Sequence, residues 1–459
     1  MGEHQLGLAV NGREHQLRRH LVSFPLPERA GANGHADDNG QAGSQLRVAI
    51  IGLGYVGLPT AIELAPRCRE VIGVDISRDR LTAVAAGQAD LAGSARPRLL
   101  AALAAGTLRL TGDPAALASA DAVIVCVPTP VDSRHEPELS ALRTACADVV
   151  RHARAGQTII LSSTTYVGTT TELLAAPLSR RGLELGRDVF VAFSPERIDP
   201  GNPDHQQDQT PRVVGGVTRE CALRAARIIS LLTSEVFLVS STEAAEATKL
   251  YENIFRAVSL ALANEFADAC SALRLDPIEV TLAAATKPYG FLAAFPGPGV
   301  GGHCIPCDPH YLLSQLTSQG HSAPLIEQAM RSIQQRPERV IERAREVLAA
   351  HGQPLAAARL IVVGASYKAG VSDLRESSAV PLIAGLLREA AEVRYYDPLV
   401  PELTLPGGQV LSSEPDPRTA WDLVIVHTTH PDIDYAWARK CRVLDATYQF
   451  DDAPERVVV

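Results

Sequence analysis

Arg47-Val48-Ala49-Ile50-Ile51-Gly52-Leu53-Gly54-Tyr55-Val56-Gly57 opens the patterned part of the chain, and Glu70-Val71-Ile72-Gly73-Val74-Asp75 follows after the helical stretch Leu58–Pro66. The first run is a short apolar segment suited to a parallel strand buried on both faces. Strand, Gly-x-Gly-x-x-Gly turn, helix, second strand and terminal acid together make the dinucleotide-binding pattern in its full context. The glycines let the backbone approach a pyrophosphate at a helix N-terminus, where free N–H groups and the helix dipole favour anions. Asp75 is placed to accept from the adenosine ribose, and its charge opposes a 2′-phosphate, so NAD is preferred to NADP. Gly52, Gly54, Tyr55, Val56, Gly57 and Asp75 are the cofactor-binding candidates.

Working outward, Asp121–Val127 and Thr158–Leu161 read as further strands, followed by Pro128-Thr129-Pro130 and Ser162-Ser163-Thr164-Thr165. Polar residues at the carboxyl ends of parallel strands point into the ligand crevice. Thr129 and Thr164 are therefore candidates for the cofactor site, although Ser163 and Thr164 could equally cap the next helix. Val189–Phe193 leads into Ser194-Pro195-Glu196-Arg197-Ile198-Asp199-Pro200-Gly201, where Glu196 is either a general base or an exposed loop acid. Val213–Gly216 and Val236–Leu238 look like the last strands of this domain.

Ser240-x-x-Glu243 reads as a capping box. It opens a helix with no Pro or Gly before about Leu273, a length of about 50 Å. From Ile254 to Ala263 it is apolar on almost every side, which predicts burial all round and a role joining domains or subunits. Lys249 and Asn253 share a face at i, i+4. Either Lys249 forms a buried ion pair with a neighbouring Glu, or the two are a cation and an amide aimed at an oxyanion. Phe295-Pro296-Gly297-Pro298-Gly299-Val300-Gly301-Gly302-His303-Cys304-Ile305-Pro306-Cys307-Asp308-Pro309 is poor material for a helix or strand, and predicts a rigid loop that holds Cys304 near Asp308. Such a thiol is a candidate for covalent catalysis.

Residues 324–350 read as a helical connector containing Pro337. Arg359–Gly364, Val393–Pro398 and Leu423–Thr429 then predict a second α/β unit without a dinucleotide fingerprint. Lys368 and Arg375, in the loop Tyr367–Glu376, could hold phosphates, or Arg375 could be a surface ion-pair residue. The fold class is thus α/β, with two doubly wound Rossmann-like domains joined by a long central helix. The expected division is a disordered tail over 1–45, an NAD-binding domain over 46–240, a central helical region with the Cys loop over 241–335, and a second Rossmann-like domain, a candidate for a different nucleotide, over 336–459.

A 459-residue chain with 46% apolar residues can bury several cores. Its net charge of −9 argues against nucleic-acid binding. No apolar run approaches the roughly 20 residues of a membrane span. Eight scattered cysteines make no secreted disulfide framework, so a cytoplasmic setting is expected.

Taken together, Gly-Leu-Gly-Tyr-Val-Gly-Leu-Pro at 52–59, Ser-Pro-Glu at 194–196, Lys249 with Asn253, Gly-Gly-His-Cys-Ile-Pro at 301–306 and Asp-Leu-Arg-Glu-Ser at 373–377 resemble, in order, the motifs of the UDP-sugar 6-dehydrogenase family. The resemblance runs from about Arg47 to about Ala446. It implies an NAD-dependent four-electron oxidation of a sugar C6 hydroxymethyl to a carboxylate, through a thiohemiacetal and a thioester on Cys304. It further implies that Lys249 and Asn253 stabilise oxyanions, that Glu196 and Asp308 handle protons or water, and that Thr129 positions a water. The substrate-binding set it implies is Glu196, Arg197, Lys249, Asn253, Arg256, Gly301, Lys368 and Arg375, and the assembly is a homodimer or higher oligomer. His303-Cys304-Ile305, Ser-Pro-Glu-Arg-Ile-Asp-Pro-Gly and Lys-Leu-x-Glu-Asn resemble the bacterial branch that acts on UDP-N-acetylhexosamines such as UDP-N-acetylglucosamine or UDP-N-acetylmannosamine. UDP-glucose and GDP-mannose are the alternatives. The chain departs from that branch at Ser162, Val167, Ser259 and Gln334, which leaves the exact hexose open. Cys304 and Cys307 also form a C-x-x-C, which a thioredoxin-like site would place at the start of a helix after a strand; Pro309 and the glycines argue against that.

Overall fold

Short apolar runs bounded by glycine or polar residues become the strands, as their length and β-branched content favour. The computed structural model describes residues 21–23, 45–88, 95–132, 134–197, 207–450, 453 and 455–459. Its first sheet contains β1 Leu21–Ser23, β2 Arg47–Ile51, β3 Glu70–Val74, β4 Leu108–Thr111, β5 Ala122–Val125, β6 Thr158–Leu161, β7 Phe190–Phe193, β8 Arg212–Gly216 and β9 Glu235–Val239. Their order is β1-β9-β8-β7-β6-β5-β2-β3-β4. Strands β2 to β7 pair in parallel, β8 runs antiparallel to β7, and β1 antiparallel to β9. Strand order reverses at β2, with β3 on one side and β5 on the other, which is where doubly wound sheets open a crevice at their carboxyl ends.

The expectation of a disordered tail over 1–45 is corrected at Leu21–Ser23, which pairs with Glu235–Phe237. The edge of β9 offers unpaired backbone groups, and a short apolar segment can satisfy them. Residues 1–20 and 24–44 lie outside the described residues, as do Ile198–Gly201 of the Glu196 motif.

The second sheet has the order β11-β10-β14-β15-β16, all parallel, from β10 Arg359–Val363, β11 Glu392–Tyr396, β14 Leu423–Val426, β15 Val443–Asp445 and β16 Arg456–Val458. A small hairpin, β12 Glu402–Thr404 with β13 Val410–Ser412, lies in the same part of the chain. Both sheets are apolar on two faces, and successive residues alternate between cores. Val48 and Ile50 enter one core of the first sheet, Ala49 and Ile51 the other. Leu360 and Val362 enter one core of the second sheet, Ile361 and Val363 the other. This two-sided burial is why the strands read as continuous apolar runs rather than alternating ones.

The long helix spans Thr242–Leu273 without a break. Its cap is Ser241, whose Oγ accepts from Ala244 N at 3.1 Å, one residue later than the expected Ser240. Glu243 instead accepts from Thr171 Oγ1 at 2.8 Å. The predicted all-round burial of Ile254–Ala263 is also corrected. Ile254, Ala257 and Ala261 are buried, but Phe255 is 44% and Leu262 65% exposed. The helix therefore keeps one apolar side in the open. Within it, after Leu250, the chain divides into two compact units.

Candidate active site

In the first unit the fingerprint residues form a cradle. Gly52 has φ +88°, and a Cβ there would stand 2.7 Å from Cys126 O. At Gly57, the first residue of helix Gly57–Leu64, a Cβ would lie 1.8 Å from Gly52 O. Gly54 differs, because nothing lies within 4 Å of the Cβ position. The protein itself does not demand glycine there, whereas close backbone approach by a pyrophosphate does. Asp75 accepts from Leu53 N at 2.8 Å and from Ser77 N at 2.9 Å. Each carboxylate oxygen has two lone pairs, so the acid fixes the turn and keeps acceptor capacity for ribose hydroxyls. Tyr55 is exposed and Val56 half-buried beside the turn. These residues fit NAD.

The loops after β5 and β6 are knit together beside this cradle. Ser163 Oγ donates to Val127 O at 2.8 Å, and Ser162 N and Ser163 N both donate to Val125 O. Ser163 is thus a tie between loops and not a helix cap. Thr129 is buried and Thr164 half-buried in these two loops.

After β7, Glu196 is buried, and its carboxylate has definite partners. Oε2 forms an ion pair with Arg212 Nη2 at 2.8 Å, and Oε1 accepts from Arg197 N at 2.8 Å. The Arg197 guanidinium donates to Pro211 O at 2.8 Å. Lys249 Nζ donates to the backbone oxygen of Glu196 at 2.9 Å, not to a carboxylate. Arg212 escaped the sequence reading. A buried Arg at the head of the apolar strand Arg212–Gly216 was the available signal, since a buried cation needs an anion. Burial pushes the neighbouring Cys126 thiol up to about 12, with the Glu196 charge adding to the effect and Arg212 opposing it.

In the second unit the Gly/Pro-rich segment is an irregular loop up to Cys307, and helix Asp308–Ser318 begins directly after it. Cys304 is exposed, whereas Cys307 is buried at the helix N-cap. The C-x-x-C does lead into a helix, against the expectation, but the segment directly before it is irregular loop after helix Pro277–Ala285, not a strand. Asp308 N donates to Cys304 O at 2.9 Å, so thiol and acid sit one turn apart. Asp308 is fully buried and accepts a short hydrogen bond from Asn253 Nδ2.

The loop is pinned at Gly297, whose N–H donates to Asn264 Oδ1 (2.9 Å) and whose oxygen accepts from Arg336 Nε (3.1 Å). Arg336 is buried and also pairs with Asp268 at 2.8 Å. Further along, Gly302 N donates to Arg375 O at 2.9 Å. A Cβ at Gly299 would meet Ser378, and Cβ atoms at Gly301 and Gly302 would meet Tyr367. The thiol loop is therefore packed directly on the loop of Lys368 and Arg375. The Arg375 side chain makes a fork to Asp373 (Nε to Oδ1 3.0 Å, Nη2 to Oδ2 2.6 Å), Lys368 is half-buried, and Arg256 is exposed. Ser259 Oγ donates to Phe255 O within the long helix.

Known proteins give this geometry a context. Residues 46–233 match the NAD binding domain of the UDP-glucose/GDP-mannose dehydrogenase family, 243–334 its central domain and 361–453 its UDP binding domain. The chain is 32% identical over 424 residues to an NDP-N-acetyl-D-galactosaminuronic acid dehydrogenase of Ralstonia solanacearum, covering 90% of this chain and 94% of that one. It is 34% identical over 389 residues to a UDP-N-acetyl-D-mannosamine dehydrogenase of Pyrococcus horikoshii, covering 84% and 90%. The solved structure of a UDP-D-ManNAc dehydrogenase from Pyrococcus horikoshii superimposes with a TM-score of 0.82 at 30% identity, covering 90% of this chain and 98% of that one.

Proposed function

Because the chain belongs to the UDP-glucose/GDP-mannose dehydrogenase family, we propose that it oxidises the C6 hydroxymethyl of a UDP-N-acetylhexosamine to the carboxylate. It is an NAD-dependent dehydrogenase of nucleotide sugars. The N-acetylated substrate is supported by its relatives, whose names specify N-acetylated mannosamine and galactosaminuronic acid. The observation that carries the four-electron chemistry is the exposed Cys304, held one turn ahead of the buried Asp308.

NAD, when bound, would supply the hydride acceptor, and two molecules in succession would serve the two oxidations. The protein's part begins with the aldehyde left by the first. The Cys304 thiolate adds to C6, making a tetrahedral species with charge on oxygen. Lys249 and Asn253 donate to that oxygen. The second oxidation leaves a thioester on Cys304, which water opens to release the carboxylate and restore the thiol. We assign Asp308 to receive the proton of the attacking water and Thr129 to hold that water. Glu196, already paired with Arg212, is assigned to presenting the carbonyl that orients Lys249. Lys368, Arg375, Arg256, Arg197 and Gly301 are assigned to the substrate. For Arg375 this requires exchanging Asp373 for a phosphate, a swap its planar fork suits.

NADH formed per sugar consumed, across UDP- and GDP-sugars, tests this reading. Two NADH per UDP-N-acetylhexosamine are expected; one would sink the mechanism, and turnover of UDP-glucose or GDP-mannose alone would reassign the substrate. Cys304→Ser is expected to cut overall turnover by about 10³-fold or more, and wild-type rates would remove the thiol from the mechanism. We also propose a homodimer built on the open apolar side of the long helix, where Tyr251, Phe255, Leu262, Phe266 and Leu273 are exposed. Light scattering that gives only the monomer mass would count against it. The eight free cysteines suit a cytoplasmic setting, and no helix among the described residues is long and apolar enough to cross a membrane.

A further inference from the structure

Glu246 lies one turn before Lys249 on the long helix, is fully buried, and has no cation paired with it among the described residues. A carboxylate so placed is costly unless every oxygen is hydrogen-bonded. Its oxygens take three donors from one short stretch. Oε2 accepts from Gly168 N at 2.5 Å, and Oε1 accepts from Thr170 N at 2.8 Å and Thr170 Oγ1 at 2.6 Å. That stretch ends the loop that leaves β6 with Ser163 and Thr164, and the loop's other end is tied to the loop after β5 by Ser163. The segment Ser162–Thr170 is thus held at one end by the sheet and at the other by Glu246. Gly168 has φ +99° and open space at its Cβ position, so glycine serves the backbone turn that aims its N–H at the acid. Burial pushes the Glu246 carboxyl up, and the Thr170 and Gly168 hydrogen bonds oppose that rise.

We propose that Glu246 is a positioning residue for NAD: it sets the Ser162–Thr170 loop, the wall of the cofactor crevice after β6, against the helix that carries Lys249. Both oxygens must act as acceptors, which a carboxylate does and an amide cannot. Glu246→Gln would turn an NH2 group toward one of the two backbone N–H donors. The inference rests on reading this loop, with Thr164, as part of the cofactor site.

The test is NAD binding to the full-length protein, measured by titration without sugar and so independent of turnover, alongside thermal unfolding. Glu246→Gln is expected to weaken NAD binding about tenfold, the size expected for orphaning one buried donor. Thr170→Val is expected to weaken it less, and Thr170→Ser to restore it by returning the hydroxyl. NAD affinity within twofold of wild type in both folded Glu246→Gln and Thr170→Val would overturn the proposal. If Glu246→Gln does not fold, the Thr170 pair decides alone. Thr164→Val separates the two layers. Weaker NAD binding there with no effect at Glu246 and Thr170 defeats only this inference, whereas no effect at any of the three removes the loop from the cofactor site.

Discussion

The two sheets carry the same device at the same place, and they use it for different ends. After β2 in one and β10 in the other, a glycine takes a left-handed turn: Gly52 at φ +88° and Gly364 at φ +85°. Each donates its N–H to the last carbonyl of the neighbouring strand at 2.8 Å, Val74 O in one and Tyr396 O in the other. The next N–H bonds to the acid that follows that strand, Leu53 N to Asp75 at 2.8 Å and Ala365 N to Asp397 at 2.7 Å. Two residues past each acid, Ser77 N and Leu399 N close the same small loop at 2.9 Å.

The difference is what else reaches the acid. Asp397 is fully buried and takes Ser366 N at 3.1 Å and His430 Nε2 at 3.0 Å as well. Gly370 N donates to His430 Nδ1 at 3.0 Å, which leaves Nε2 as the protonated nitrogen that donates to Asp397. The first acid is half-open and fits a ribose; the second is spent on holding the loop of Lys368. In the first sheet a helix starts at Gly57, immediately after the turn, whereas in the second the next helix waits until Ala379. A strand-turn-acid unit is therefore a scaffold, and the ligand is chosen by what the following residues leave open.

Glycine substitutions give the hardest test of that comparison. Gly57→Ala and Gly364→Ala would place a Cβ 1.8 Å from Gly52 O and 2.1 Å from Thr428 O. Each is expected to cost on the order of 4 kcal/mol or more and to abolish soluble protein. Gly54→Ala meets no protein atom, so its unfolding midpoint should stay near wild type while NAD binding is lost. A destabilised Gly54→Ala would show that the protein, and not the cofactor, requires that glycine.

Exchanging the acids should have opposite effects. Asp397→Ala orphans buried donors and is expected to destabilise the protein by about 3 kcal/mol in urea unfolding, with NAD affinity retained in what remains folded. Asp75→Ala should barely move the midpoint yet weaken NAD binding by at least about tenfold. Similar stability losses for both would erase the distinction.

A smaller effect concerns acid. After β5, which pairs with β2 in the first sheet, stands Cys126, and after β14, which pairs with β10 in the second, stands His427. His427 is buried between Ser378 Oγ and Thr428 Oγ1, each at 2.8 Å, and burial lowers its pKa to about 4 while Asp397 pulls it upward. Between the ordinary value of 6.5 and about 4, the unfolded chain binds a proton that the folded protein refuses. Stability must then fall as pH drops through that window, by a few kcal/mol at most. Cys126, with its thiol pushed up to about 12, adds no such loss. Both tryptophans, Trp421 and Trp437, belong to the second sheet's cores. Their fluorescence should report acid unfolding at higher pH in wild type than in His427→Asn. Coincident transitions would place the weakness elsewhere.

How far the sequence could be read follows from contact distance along the chain. The dinucleotide turn was legible because Gly52, Gly54, Gly57 and Asp75 act within one strand-helix-strand unit. The Cys304 loop was legible from its glycines and prolines, and the second sheet from its apolar runs. The ion pair of Glu196 with Arg212, at the head of the neighbouring strand β8, was not legible, because it depends on how β7 and β8 pair. Glu246 and Thr170, 76 positions apart, and His430 and Asp397, 33 apart, meet only in the fold. The open side of the long helix misled for a related reason, since apolar residues on every side indicate what must be covered and not which molecule covers it.

The seam between Gly299–Gly302 and the segment Tyr367–Ser378 bears on how new specificities can be built. Side chains of Tyr367 and Ser378 occupy the very space that the glycines leave, and Gly302 and Arg375 share a backbone hydrogen bond. A chimera that imports a relative's thiol loop without the matching Tyr367–Ser378 segment inherits two halves of a mould that were cast separately. The exchangeable module is the pair, discontinuous in the gene and contiguous in the protein.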